Sequence, residues 1–145
     1  MGLLTAAARE LLDSGPLAHV ATVNRDGSPQ VTCTWVTRDG ETLRIAVLTL
    51  RQKIANLRRD PRIVLSFAAP SKNAMGLTDY LVLHGRATIA EGGAAALLQD
   101  QARLYMGPGV RFPDMEDPPP GYIITVAIER VWDHIGSGGT WLSGS

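Results

Sequence analysis

The sequence predicts a mainly β fold: six antiparallel strands in a closed or nearly closed barrel, with helices inserted between some of them. Three observations carry this. Short runs with apolar residues near every second position recur between turn signals such as Asp26-Gly27 and Asp39-Gly40. One run, residues 62–68, is apolar at nearly every position, which calls for cover on both faces. Three other stretches space their apolar residues as helices do. The 145 residues suit one domain over 1–145, with a helix within 1–16 and a flexible tail at 136–145.

Residues 5–13 are expected to form the first helix. Thr5 is placed to cap it, Ala8, Leu11 and Leu12 make its apolar stripe, and Ser14-Gly15-Pro16 ends it. Residues 17–23 and 30–37 read as two strands joined at Asn24-Arg25-Asp26-Gly27, since Asp-Gly is a strong hairpin signal. The turn at Asp39-Gly40 leads into a third strand over 42–48. Residues 51–60 are a helix, with Ile54 and Leu57 on its buried face. Asp60-Pro61 closes it, because a residue before proline is pushed out of helical geometry. Residues 62–68 are the fourth strand, 70–78 a loop and 80–90 the fifth strand, in which Gly85 marks a bend or bulge. Gly92-Gly93 precede the longest helix, 94–105, which Gly107-Pro108-Gly109 stops. A segment with Pro113, Pro118, Pro119 and Pro120 is a semi-rigid loop, and residues 122–135 are the last strand.

Composition excludes several classes. Fourteen basic and fourteen acidic residues cancel, so the balance gives no argument for nucleic acid or an anionic membrane as a partner. No stretch approaches the ~20 apolar residues of a membrane span, and the N-terminal apolar run is too short for a secretory signal. Cys33, the single cysteine, excludes an intrachain disulfide and a multi-cysteine zinc site and fits a reducing cytoplasm, the expected location. His19, His84 and His134 lack a second ligand at helical spacing, so no metal is expected. There is no G-x-S-x-G elbow, no P-loop and no G-x-G-x-x-G between a strand and a helix, and nothing pairs Cys33 with a base. No catalytic side chain emerges. A catalyst built this way would take its reactive centre from a bound organic cofactor.

The stretch Arg51-Gln-Lys-Ile-Ala-Asn-Leu-Arg-Arg-Asp-Pro61 sets Arg51 and Lys53 at the positive end of its helix, where cations are disfavoured. A bound phosphate would give them a reason, since free backbone N–H groups and both side chains would converge on it. The alternative is a solvated basic patch.

Four motifs occur in order. They are Leu17-Ala-His-Val-Ala-Thr-Val-Asn-Arg-Asp-Gly-Ser-Pro-Gln-Val31, then Trp35-Val36 before Asp39-Gly40, then the helix segment from Arg51 to Arg62, then Leu83-His-Gly-Arg86-Ala87. In this order and spacing the chain resembles the split-barrel flavin and deazaflavin oxidoreductases, the pyridoxamine-phosphate-oxidase-like superfamily. The nearest likeness is to its coenzyme F420-dependent branch, over residues 17–131.

The resemblance implies a six-stranded antiparallel split β-barrel of the FMN-binding type. It also implies a homodimer, with the cofactor and a small-molecule substrate in clefts at the interface. Arg51 and Lys53 match the phosphate-binding cations, with Gln52 between them. Thr32, Cys33, Thr34, Trp35 and Val36 match the strand beside the tricyclic ring. Ala46, Val47, Leu48 and Thr49 match residues near the ring and its side chain, and Tyr80 falls where relatives place a group that reaches the cofactor. Trp141 would belong to a segment that closes over the site. Relatives carry Thr-x-Arg-Gly-Arg-x-Lys before the helix, whereas this chain reads Val47-Leu-Thr-Leu-Arg-Gln-Lys53, one cation and the turn glycine fewer. A C-terminal Arg-x-His is missing too, which disfavours vitamin B6 oxidation.

The implied reaction is hydride transfer from reduced coenzyme F420 to an unsaturated organic substrate, with Tyr80, Tyr105 or solvent as the proton source. FMN is the alternative cofactor, and a broader cationic groove including Lys72 or Arg111 would favour F420. A third reading is a non-catalytic protein that binds flavin, deazaflavin or haem, with His19, His84 or His134 as the axial ligand of a haem.

Overall fold

The first helix, α1 (Ala6–Asp13), leads into β1 (Ala18–Val23), β2 (Pro29–Thr34), β3 (Thr37–Asp39) and β4 (Thr42–Val47). There follow α2 (Gln52–Arg59), β5 (Arg62–Lys72), β6 (Thr78–Glu91), α3 (Ala94–Tyr105), β7 (Tyr122–His134) and β8 (Thr140–Ser143). The computed structural model describes residues 2–136 and 139–143. Thr5 caps α1 as its sequence suggests, accepting from the Ala8 backbone N–H at 3.0 Å.

All strand pairings are antiparallel, and the order across the sheet is β2-β1-β5-β6-β7-β4-β3, with β8 added to β7. The length of β7 lets one edge serve two partners. Tyr122 to Ala127 pair with β4, and Arg130 to Asp133 pair with β8. At Gly85 the β6–β7 register shifts, and a Cβ there would run into the Ala127 carbonyl, so only glycine lets the two strands approach this closely.

Among the described residues the expected six strands are eight, and the sheet does not close. One extra strand arises because the run expected over 30–37 breaks at Trp35 and Val36, leaving β3 as a separate three-residue piece. The break also explains the opening, since β2 and β3 are neighbours in the chain and lie at opposite ends of the strand order. Val36 is buried there, and the Tyr105 hydroxyl at the end of α3 satisfies its backbone N–H at 3.0 Å. The same hydroxyl lies 2.7 Å from the Pro16 carbonyl, to which it donates. The other extra strand, β8, forms within the stretch expected to be a flexible tail; residues 137, 138, 144 and 145 of that stretch lie outside the described residues.

Inside the sheet, Val20, Leu43, Ile45, Leu65, Phe67, Leu81, Leu83, Ile124 and Val126 form one apolar core, joined by Ile54 and Leu57 of α2. The fourth predicted strand, now β5, buries Ile63, Leu65 and Phe67 on that core. Its other face is not covered within one chain: Val64 and Ser66 are half-buried and Ala68 is exposed. No helix of the described residues is long and apolar enough to cross a membrane.

Candidate functional site

The α2 helix follows β4 after the short link of residues 48–51, and its first turn lies beside β2, where Lys53 reaches Thr32. Between these three elements is an open cavity of 590 Å³, lined by Gln30, Thr32, Cys33 and Thr34 of β2, by Ala46, Val47 and Leu48, by Arg51, Gln52 and Lys53, and by Leu98 and Phe112. Nine residues expected from the sequence therefore meet in one place: Thr32, Cys33, Thr34, Ala46, Val47, Leu48, Arg51, Gln52 and Lys53.

Lys53 is the unusual member. It is 9% exposed, and among the described residues its ammonium meets only the Thr32 hydroxyl, at a long 3.4 Å. Among the described residues no carboxylate pairs with Lys53 or with Arg51. Burial, and then the neighbouring Arg51 charge, push the Lys53 ammonium below the usual lysine range. Arg51 is the N-cap residue and offers no side-chain cap; the Ile54 N–H turns back to the Arg51 carbonyl at 3.0 Å, and among the described residues the Gln52 and Lys53 N–H groups remain available beside the two cations. Two cations and free N–H groups around a cavity are the chemistry of an oxyanion site.

The far wall of the cavity is apolar and owes its shape to α3. Trp35 does not line the cavity. It stacks on Tyr105 (5.3 Å between ring centres, 16° between planes) and backs Phe112 at 5.2 Å. Gln99 holds the Phe112 loop with both ends of its amide, donating to the Val110 carbonyl at 2.7 Å and accepting from the Phe112 N–H at 3.0 Å.

Thr49 lies in an adjoining depression of 340 Å³ that shares Leu48 with the first. Tyr80 lines neither. It stacks on His134 at 4.6 Å and accepts from the Trp132 indole N–H at 3.1 Å. Trp141 packs against Trp132 and His84, with the Arg130 guanidinium 4.2 Å from its ring centre. Lys72 and Arg111 do not border the cavity, and Arg111 faces Asp114 at 3.6 Å. Tyr105 is committed to the Val36 and Pro16 backbone, and burial pushes its phenol above the ordinary range. No group of three or more potential ligands among the described residues is placed to hold a metal.

Gln30, Leu98 and Phe112 were not anticipated from the sequence. Gln30 had a signal, since alternation along β2 puts it on the same side as Thr32 and Thr34. Leu98 carries only its place within the helix expected over 94–105, and Phe112 sits in an irregular loop with no periodic signal.

A family model described as pyridoxamine 5′-phosphate oxidase matches residues 4–135. The chain is similar to a solved structure named F420 reductase, at 30% identity, with a TM-score of 0.69 over 85% of this chain and 94% of the other. It shares its fold with a conserved hypothetical protein from Mycobacterium tuberculosis, at 22% identity and a TM-score of 0.70 over 98% and 94% of the two chains. A heme binding protein from Mycobacterium smegmatis also has this fold, at 20% identity and a TM-score of 0.69 over 93% of this chain and 55% of that one. No curated protein matches in sequence.

Proposed function

The chain belongs to the pyridoxamine 5′-phosphate oxidase family, and on that premise we propose that it is an oxidoreductase that uses reduced coenzyme F420 to reduce an unsaturated organic substrate. One observation carries the reading: Lys53 is buried at the cavity with Arg51 beside it and, among the described residues, no carboxylate opposite. Burying a cation without a counter-charge is costly, and an anionic ligand removes that cost. The 30% identity to an F420 reductase supports F420 as the anion's source.

In this reading Arg51, Lys53 and the first-turn N–H groups bind the cofactor's phosphate, with Gln52 beside them. Thr32, Cys33, Thr34 and Trp35 form or support the strand beside the ring, and Val47, Leu48 and Thr49 border the ring and its side chain. When bound, the reduced deazaflavin supplies the hydride chemistry. The protein binds, orients and excludes water, with Phe112 and Leu98 as the apolar wall for the substrate. Tyr105 is not the acid, because its hydroxyl proton is held by a backbone carbonyl. Tyr80 reaches the cofactor only from a second copy, so the functional unit is a homodimer of the single 1–145 domain.

FMN is the second reading. The cationic lining stops at Arg51 and Lys53, without Lys72 or Arg111, and that suffices for one phosphate. Mixing the protein with reduced F420 and a panel of conjugated acceptors, and following the return of the oxidised-F420 absorbance, tests turnover. Oxidation that needs both protein and acceptor is expected. F420 binding without oxidation across the panel would instead mark a carrier.

A further inference from the structure

Asn56 is fully buried on α2 and uses both ends of its amide. Its Nδ2 donates to Thr22 Oγ1 at 3.0 Å and Asn24 Oδ1 at 2.9 Å, and lies 3.4 Å from Gln30 Oε1. Its Oδ1 accepts from Gln52 Nε2 at 2.9 Å and from the Arg59 guanidinium at 3.3 Å. An amide's orientation follows from its partners, and one partner here has a single sense: a guanidinium donates and cannot accept. Asn56 must turn its oxygen toward Arg59 and its nitrogen toward the β1–β2 hairpin.

That choice propagates to the cavity. Gln52 meets the Asn56 oxygen with its nitrogen, which leaves Gln52 Oε1 without a partner among the described residues. Gln30 meets Asn56 Nδ2 and the Thr22 hydroxyl (3.2 Å) with its oxygen, which leaves Gln30 Nε2 without one. Both glutamines line the cavity that contains Arg51 and Lys53.

We propose that Arg59, acting through Asn56, sets the hydrogen-bond polarity of the cavity, presenting Gln30 as a donor and Gln52 as an acceptor beside the two cations. The ligand such a surface recognises is a phosphate ester whose adjoining carbon chain carries hydroxyl groups. Its phosphate oxygens accept from Gln30 with Arg51 and Lys53, and a neighbouring hydroxyl donates to Gln52 Oε1. The proposal rests on the phosphate site described above and deepens it. Asn56 and Arg59 are positioning residues that act through the two glutamines.

The test follows the side-chain amide signals of Gln30 and Gln52 by NMR in ¹⁵N-labelled protein while methyl phosphate or glycerol 3-phosphate is added. The probes carry the same anion, and only the second has hydroxyls. Both should shift the Gln30 NH₂ signals, and glycerol 3-phosphate should bind about fivefold more tightly, as one added hydrogen bond allows. In Gln52→Ala the two probes should bind alike. In Asn56→Asp the carboxylate still accepts from Arg59 and Gln52 and donates nothing. Gln30 should therefore turn its nitrogen inward, so that its NH₂ exchanges slowly with water and no longer responds to phosphate. A purely structural role for Asn56 predicts no such inversion. A Gln30 amide silent to both probes, or a glycerol-phosphate preference that survives Gln52→Ala, overturns the proposal. These two results need no Asn56 variant and stand if Asn56→Asp fails to fold. Methyl phosphate binding that is lost in Lys53→Met, together with a silent Gln30, would remove this inference and keep the phosphate site. Absence of any phosphate binding to the wild type would remove both.

Discussion

Lys53 is 9% exposed, and its ammonium makes one long hydrogen bond to Thr32 at the helix end where the backbone dipole opposes a cation. Such a residue trades stability for binding. Lys53→Met keeps the aliphatic stem and removes the charge, so it should raise unfolding stability by about 1 kcal/mol while weakening anion binding. Urea denaturation measures the first effect, and a variant less stable than wild type would speak against it. The pH dependence has a definite sign. The folded-state pKa of Lys53 is lowered by burial and Arg51, so the unfolded chain holds more protons in the window between that value and 10.5. Wild-type stability should gain a contribution as pH rises through this window, and Lys53→Met should lack it. Anion affinity should move the other way, falling as Lys53 deprotonates. The position of Lys53 at a helix start could be read from the sequence. Its isolation from every described carboxylate could not, because that depends on where the eight strands and the loops place their acids.

The elements owe their arrangement around the cavity to one distant contact. Trp35, Val36 and Thr37 all favour strands, so local preference runs the second strand straight through them. The break between β2 and β3 instead follows tertiary structure: the Tyr105 hydroxyl, sixty-nine residues on, takes the Val36 N–H. Tyr105→Phe keeps the ring stacked on Trp35 and leaves a buried N–H without its partner. It should destabilise the fold by about 1–3 kcal/mol, measured as a lower denaturation midpoint. If Tyr105 were the proton donor, the same variant would abolish turnover in protein that is still folded; residual activity comparable to wild type is expected instead. The β1–β2 hairpin and α2 were recognisable from Asp26-Gly27 and Asp60-Pro61, and those elements carry most of the polar end of the cavity. The apolar end was hidden, because Phe112 reaches it from a loop whose position is set by the Gln99 amide rather than by any local pattern.

At the scale of the whole molecule, strand content was readable and closure was not. A strand's alternation says which side faces the core, but it does not say which edge finds a partner, so an open eight-stranded sheet and a closed barrel look alike in sequence. The outer face of β5 was expected to be covered, and within one chain Val64 and Ser66 remain half-exposed, with Val31 61% exposed on β2. A second copy over this face would satisfy the strand's composition. Val64→Glu should then give a monomer by analytical ultracentrifugation and weaken cofactor binding with it, whereas a wild-type monomer would leave Tyr80 without a route to the site. The polar end of the cavity, by contrast, belongs to a single chain, and a direct binding measurement can examine it. Wild type and Lys53→Met would each be titrated with F420 and with FMN, following fluorescence polarisation. Tighter binding of F420 than of FMN, weakened about tenfold or more in Lys53→Met, is the expected result. F420 binding that Lys53→Met leaves intact, or binding of neither cofactor, would contradict the phosphate site on which the proposed function stands.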